Sequence, residues 1–113
     1  MDYIGVVQGV PVCFDVKECQ AKSFALKNIH SHQLSFMELF TKQQGLAFLL
    51  VYFTSTEKCF FLPFPIVVDY VAKSSNGGRK SIPPEDFGQF IEVEIRNGYY
   101  VRYLDAINTY LAN

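Results

Sequence analysis

The eight residues Leu46–Phe53, LAFLLVYF, constrain the fold more than any other stretch of this chain. They are continuously apolar and of strand length, with none of the alternation that marks a strand with one wet face. Such a strand is covered on both faces, so other elements must pack above and below it. At 113 residues the chain is long enough to bury that core as one domain, residues 1–113, without staples. The flanking patterns supply the covering elements. Tyr3–Val7 and residues 10–16 are apolar runs around Gln8-Gly9, a tight-turn dipeptide, and read as a hairpin ending near Glu18. A polar connector over residues 19–30 follows. Ser31 is then the expected N-cap of a helix running to about Gln44 and closed by Gly45. Its apolar stripe is Ile29, Phe36, Met37 and Phe40, and Gln33 falls on that same face.

Beyond the central run, a turn over residues 54–58 leads to a short strand at 59–62. Pro65 suits the first turn of a helix over residues 66–73. SSNGGRKSIPP, residues 74–84, reads as an exposed loop. Residues 90–96 alternate as a strand, Asn97-Gly98 is a type I′ turn, and residues 99–102 return. Leu104, Ile107 and Leu111 have the spacing of a C-terminal amphipathic helix. Strands interspersed with helices, one strand two-faced, predict the α/β class with a mixed sheet flanked by helices.

A net charge of −1 is unlike the basic balance usual in strong nucleic-acid binders, but the charge is uneven. Lys17, Lys22 and Lys27 cluster early, and Arg79 and Lys80 sit in the Gly-rich loop. No apolar run approaches the roughly 20 residues of a membrane span, and no basic-then-apolar leader opens the chain. Cys13, Cys19 and Cys59 are odd in number and lack CxxC spacing. They read as reduced thiols in a cytoplasmic protein, without disulfides or zinc. His30 and His32 would diverge on a helix, so they too are not expected to hold zinc.

The hairpin carries the chemistry. With a two-residue turn at Gln8-Gly9, paired residue numbers sum to seventeen and Asp2 faces Asp15. Opposed Cβ atoms sit roughly 4.5–5.5 Å apart, and like charges so placed repel. Lys17 projects from the same face as Asp15, roughly 7 Å further along the strand. Two carboxylates forced together beside a lysine make chemical sense around a divalent cation. Mg²⁺ bound by one or two carboxylates, with the Val16 carbonyl as a further oxygen ligand, suits phosphodiester hydrolysis. In that reading Lys17 orients or deprotonates water, or stabilises the transition state, and Gln33 reaches the site from its helix.

In DYIGVVQGVPVCFDVKE (residues 2–18), SFALKNIHSHQ (residues 23–33), LAFLLVYF, FLPF and NGGRKSIP, taken in order, the chain resembles the RecU family of Holliday-junction resolvases. These segments extend over most of the chain. The family is a branch of the PD-(D/E)xK nucleases, so the resemblance implies a restriction-endonuclease-like core. It also implies a metal-dependent endonuclease acting on branched DNA in recombination and repair, with Mg²⁺ or Mn²⁺, as a homodimer. The family's metal-binding aspartate falls on Asp2, and its (D/E)xK acid falls on Asp15. The motif lysine is Lys17, and the glutamine completing the metal site is Gln33. The matching loop points to Arg79 and Lys80 as DNA contacts, with Lys22 and Lys27 flanking the site along the DNA backbone.

The family pattern also includes an N-terminal region, a first helix with an acidic residue, a stalk that enters the junction centre, and a metal-site threonine just ahead of the first strand. The sequence opens at that strand, so these are expected to be missing. That keeps two other readings open: a nuclease-fold remnant that binds DNA or a protein partner without turnover, and a trimmed nuclease acting on simpler DNA.

Overall fold

A computed structural model describes residues 3–94 and 103–112. Two strands, β1 (Tyr3–Val7) and β2 (Val10–Cys19), form the expected hairpin. Gln8 and Gly9 both take positive φ, 50° and 81°, the conformation that a type I′ turn requires. Every described pair, from Tyr3↔Phe14 to Val7↔Val10, sums to seventeen. Asp2, the next residue in that register, lies outside the described residues.

Next come β3 (Phe24–Ala25), α1 (Ser31–Lys42), β4 (Leu46–Phe53) and β5 (Lys58–Pro63). They are followed by α2 (Phe64–Ser75), β6 (Ser81–Ile82), β7 (Ile91–Val93) and α3 (Tyr103–Ala112). Five strands make a mixed sheet in the order β1-β2-β4-β5-β7, with only β2 and β4 parallel. β4 is its middle strand and is buried on both faces, as its unbroken apolar sequence demands. Met37 of α1 and Val67 of α2 cover one face, against Ala47, Leu49, Val51 and Phe53. Ile107 of α3 covers the other, against Phe48 and Leu50.

Side chains of β2 alternate between these layers. Val12, Phe14 and Val16 face α3, while Cys13 and Cys19 face α1 and α2. Asp15 and Lys17 share the odd-numbered face, so the period of the strand delivers both to the underside of α1.

Several expectations are corrected. The N-cap of α1 is His30, in extended conformation, and Ser31 is the first helical residue. The His30 and His32 rings do not diverge but stack, with centroids 5.6 Å apart. At the other end of α1 the left-handed residue is Gln44, with φ 66°, and not Gly45. Gly45 serves a different need: a Cβ there would sit 2.9 Å from the Phe40 carbonyl and against the Phe40 ring. Phe36 stands partly in solvent, because Gln33 and Met37 hold the buried line of the helix.

Residues 19–30 and 74–84 are not featureless. Phe24 and Ile82, both fully buried, are paired in the two-stranded sheet β3-β6. Two such strands give no periodic signal, so hydrophobic burial alone creates them. A 3₁₀ turn over Pro84–Gln89 precedes β7, which ends at Val93, and residues 95–96 of the expected strand lie outside the described residues. The expected turn at Asn97-Gly98 and the returning strand lie outside the described residues. Ile107 is buried as expected, whereas Leu111 is exposed.

Candidate active site

Asp15, Lys17 and Gln33 converge under the first turn of α1. Asp15 is 3% exposed and Gln33 9%, and these two are the buried polar residues among those described. The Lys17 ammonium lies 3.0 Å from Asp15 Oδ2. Gln33 Nε2 donates to that same oxygen at 2.7 Å. Gln33 Oε1 in turn accepts from Lys17 Nζ at 3.0 Å and from the His30 backbone N–H at 3.2 Å. Asp15 Oδ1 accepts from the Val16 N–H at 2.9 Å.

The cluster follows from local structure. Gln33 is the third residue of α1, where a side chain can reach back to the N-cap N–H and relieve one of the unpaired donors there. That reach aims its amide at the strand beneath. A carboxylate can only accept and an ammonium can only donate, so the amide orientation is set by its neighbours. Turning it over would set NH₂ against the His30 N–H and the Lys17 ammonium. A buried carboxylate left without partners would cost several kcal/mol. The charge on Asp15 is therefore held by both Lys17 and Gln33.

Hard divalent cations take oxygen ligands, which Asp15 and the following Val16 carbonyl can offer. Among the described residues no group of three His, Cys, Asp or Glu side chains comes together. The second anionic ligand expected from sequence, Asp2, lies outside them. The oxygen donors of Asp15 and Val16 are of the kind that Mg²⁺ and Mn²⁺ take. Gln33 presents its nitrogen, not its oxygen, to Asp15.

The basic residues are less concentrated than the sequence suggests. Lys27 and Lys80 line one cavity, brought together where the Leu26 N–H donates to the Lys80 carbonyl at 3.0 Å. Lys80 Nζ also donates to the Ser74 carbonyl at 2.7 Å. Arg79 lines a neighbouring cavity and faces Glu85 at 3.9 Å. Lys22 borders a third cavity, beyond the end of β2. Two features escape sequence reasoning: His30 as the capped residue that fixes Gln33, and the β3-β6 pair that joins Lys27 to Lys80. The short apolar run Phe24–Leu26 and the single Ile82, each inside a polar segment, are the available signal for the second.

Comparison with known proteins gives one family. A family model described as RecU, Recombination protein U, matches residues 1–109. A protein of Limosilactobacillus reuteri (strain DSM 20016), named Holliday junction resolvase RecU, is 37% identical over 103 residues, covering 90% of this chain and 47% of its own. Proteins of the same name from Pediococcus pentosaceus and Streptococcus pneumoniae serotype 19F are 34% and 35% identical, each over 114 residues. They cover 99% and 97% of this chain, and 57% and 56% of their own length. The chain thus spans about half the length of these curated relatives.

Proposed function

Because the chain belongs to the RecU family, we propose that residues 1–113 form a single nuclease domain that hydrolyses phosphodiester bonds in branched DNA during recombination and repair. In this reading it works in the cytoplasm as a homodimer, with Mg²⁺ as cofactor and Mn²⁺ able to substitute. The observation that carries the reading is the buried cluster of Asp15, Lys17 and Gln33, drawn together from a strand and a helix. The register summing to seventeen is the basis for assigning Asp2 as the second carboxylate. Among the described residues no helix is long and apolar enough to cross a membrane.

Asp2, Asp15 and the Val16 carbonyl would hold the ion. When bound, a divalent cation supplies Lewis acidity at the phosphate and neutralises part of its charge. Lys17 carries a fixed positive charge at the edge of the site, where its Nζ meets the charge that develops on the phosphate oxygens. Gln33 holds Asp15 with its amide nitrogen and Lys17 with its oxygen, so neither has to be organised during the reaction. Direct ligation by Gln33 requires its amide to turn over. Lys27 and Lys80, joined across β3-β6, grip the DNA backbone, and Lys22 and Arg79 flank it. Such contacts position the nucleic acid and do not read its sequence.

The test is cleavage of a four-way junction and a linear duplex by purified protein with Mg²⁺ or Mn²⁺. Asp15→Ala and Lys17→Ala should each lower the rate by at least about 10²-fold, the usual loss for a removed electrostatic stabiliser. Junction binding without metal should persist in Lys17→Ala. Wild-type rates in both variants would show that the site is misassigned. Wild-type protein that binds junctions tightly and never cuts them would favour the remnant that binds without turnover.

A further inference from the structure

The sheet face that carries Lys17 continues into an aromatic recess that the proposed chemistry does not use. Lys17, Val51, Phe60 and Glu92 form one cross-strand row, and Cys19, Phe53 and Lys58 form the next. Neighbouring strands lie about 4.8 Å apart, so Phe60 stands roughly 10 Å from Lys17 along that row. Phe53, Phe60 and Phe87 line a cavity of about 400 Å³ at this end of the sheet. The Phe87 ring packs against those of Phe53 and Phe60 at 4.8 and 5.1 Å between centroids. Lys22 and Lys58 stand on the rim, and Glu92 is the acidic group there.

The place matters as much as the composition. The cavity opens at the carboxyl ends of β2 and β4, the parallel pair of the sheet. In open α/β sheets, ligands bind in the crevice outside those ends. Its volume is at the small-molecule end of the range for ligand sites and too small for a docked helix. Aromatic walls with cationic rims are the recurrent means of holding single-stranded nucleic acid, since every base has a π-face and every linkage a charge.

The geometry points to a nucleotide subsite: this recess takes one unpaired base of the DNA strand lying across the active site, with its phosphates on Lys22 and Lys58. The assignment rests on the nuclease reading above and names where a nucleotide near the cut strand is held. Selection is for unpaired character, because a paired base cannot leave its stack to enter a recess walled by Phe53, Phe60 and Phe87; Ser55, Thr56 and Glu92 are the polar groups beside those rings.

Gly88 allows a direct test. It lines the recess, and a Cβ added there meets nothing within 4 Å. Gly88→Leu should therefore add bulk beside the recess without moving the backbone. The probe is a thymidine tetranucleotide titrated into ¹⁵N-labelled protein without metal. Amide shifts should concentrate at Phe53, Lys58 and Gly88, with affinity falling at least tenfold in Gly88→Leu and several-fold in Lys22→Glu and Lys58→Glu. Two phosphate contacts on single-stranded DNA give a log–log salt slope of about −1.4, which each lysine substitution should roughly halve. Melting curves identify a variant that fails to fold, and the lysine variants, exposed on the rim, keep the test decisive in that case. Unchanged affinity in Gly88→Leu and both lysine variants, shifts confined to another surface, or no tetranucleotide binding would overturn the subsite. Tetranucleotide binding at the recess in a protein that never cuts DNA would sink the nuclease reading and leave the subsite standing. Metal-dependent cutting with no response to Gly88→Leu in binding would do the reverse.

Discussion

Replacing Gln33 with leucine isolates the contact on which the arrangement of the site depends. The wild-type amide makes three bonds: to Asp15 Oδ2 at 2.7 Å, from Lys17 Nζ at 3.0 Å and from the His30 N–H at 3.2 Å. A hydrogen bond to a charged group contributes roughly 1.5–3 kcal/mol, and a neutral one about 1 kcal/mol. Leucine returns part of that by burying apolar surface of similar volume. The expected net loss is about 2–3 kcal/mol, since Lys17 keeps its own contact with Asp15. In urea unfolding this should lower the midpoint by about 1–2 M. The decisive comparison is a double-mutant cycle with Asp15→Ala. If the two residues act as one unit, their losses should couple by about 1.5–3 kcal/mol. Losses that add to within about 0.5 kcal/mol would refute the claim that Gln33 holds Asp15.

Two more predictions concern stability. Burial pushes the Cys13 thiol from an ordinary 9.0 up to about 11, and burial together with the nearby Glu92 charge pushes the Cys59 thiol up to about 12. Burial, and then the 2.7 Å hydrogen bond to Asp86, raises Tyr70 from 10.0 to about 12. The fold favours the protonated form of all three, so their contribution is complete below pH 9 and is lost as pH rises from about 9 towards 12. Tm should hold between pH 7 and 8.5 and fall beyond pH 9, less steeply in Cys59→Ala. At the end of α1, Gln44→Gly should raise stability by about 0.5–1 kcal/mol by relieving the left-handed conformation. Gly45→Ala should lower it by roughly 1–3 kcal/mol through overpacking against Phe40. Equal effects of the two in urea melts would contradict this assignment of roles.

How far the sequence discloses these features depends on how local their causes are. The hairpin register was legible because a two-residue turn fixes every pair, and Tyr3 does oppose Phe14. The middle position of β4 was legible because nothing but burial on both faces explains eight apolar residues in a row. Asp15, Lys17 and Gln33 were legible because strand and helix periods each point one way. The orientation of the Gln33 amide was not, since it depends on the His30 N–H, and the helix had been expected to start one residue later. β3 and β6 were hidden because two-residue strands have no period. The recess at Phe53, Phe60 and Phe87 arises only when three separated segments meet.

The central claim is that Asp15 is one wall of a cation site. Crystals of the chain soaked in Mn²⁺ and measured at the manganese absorption edge test it most directly. The account predicts an anomalous peak about 2.1 Å from an Asp15 carboxylate oxygen, absent in Asp15→Ala crystals, with Asp2 as a second ligand. Manganese peaks found only elsewhere, with Asp15 still bound to Lys17 and Gln33 as before, would contradict it.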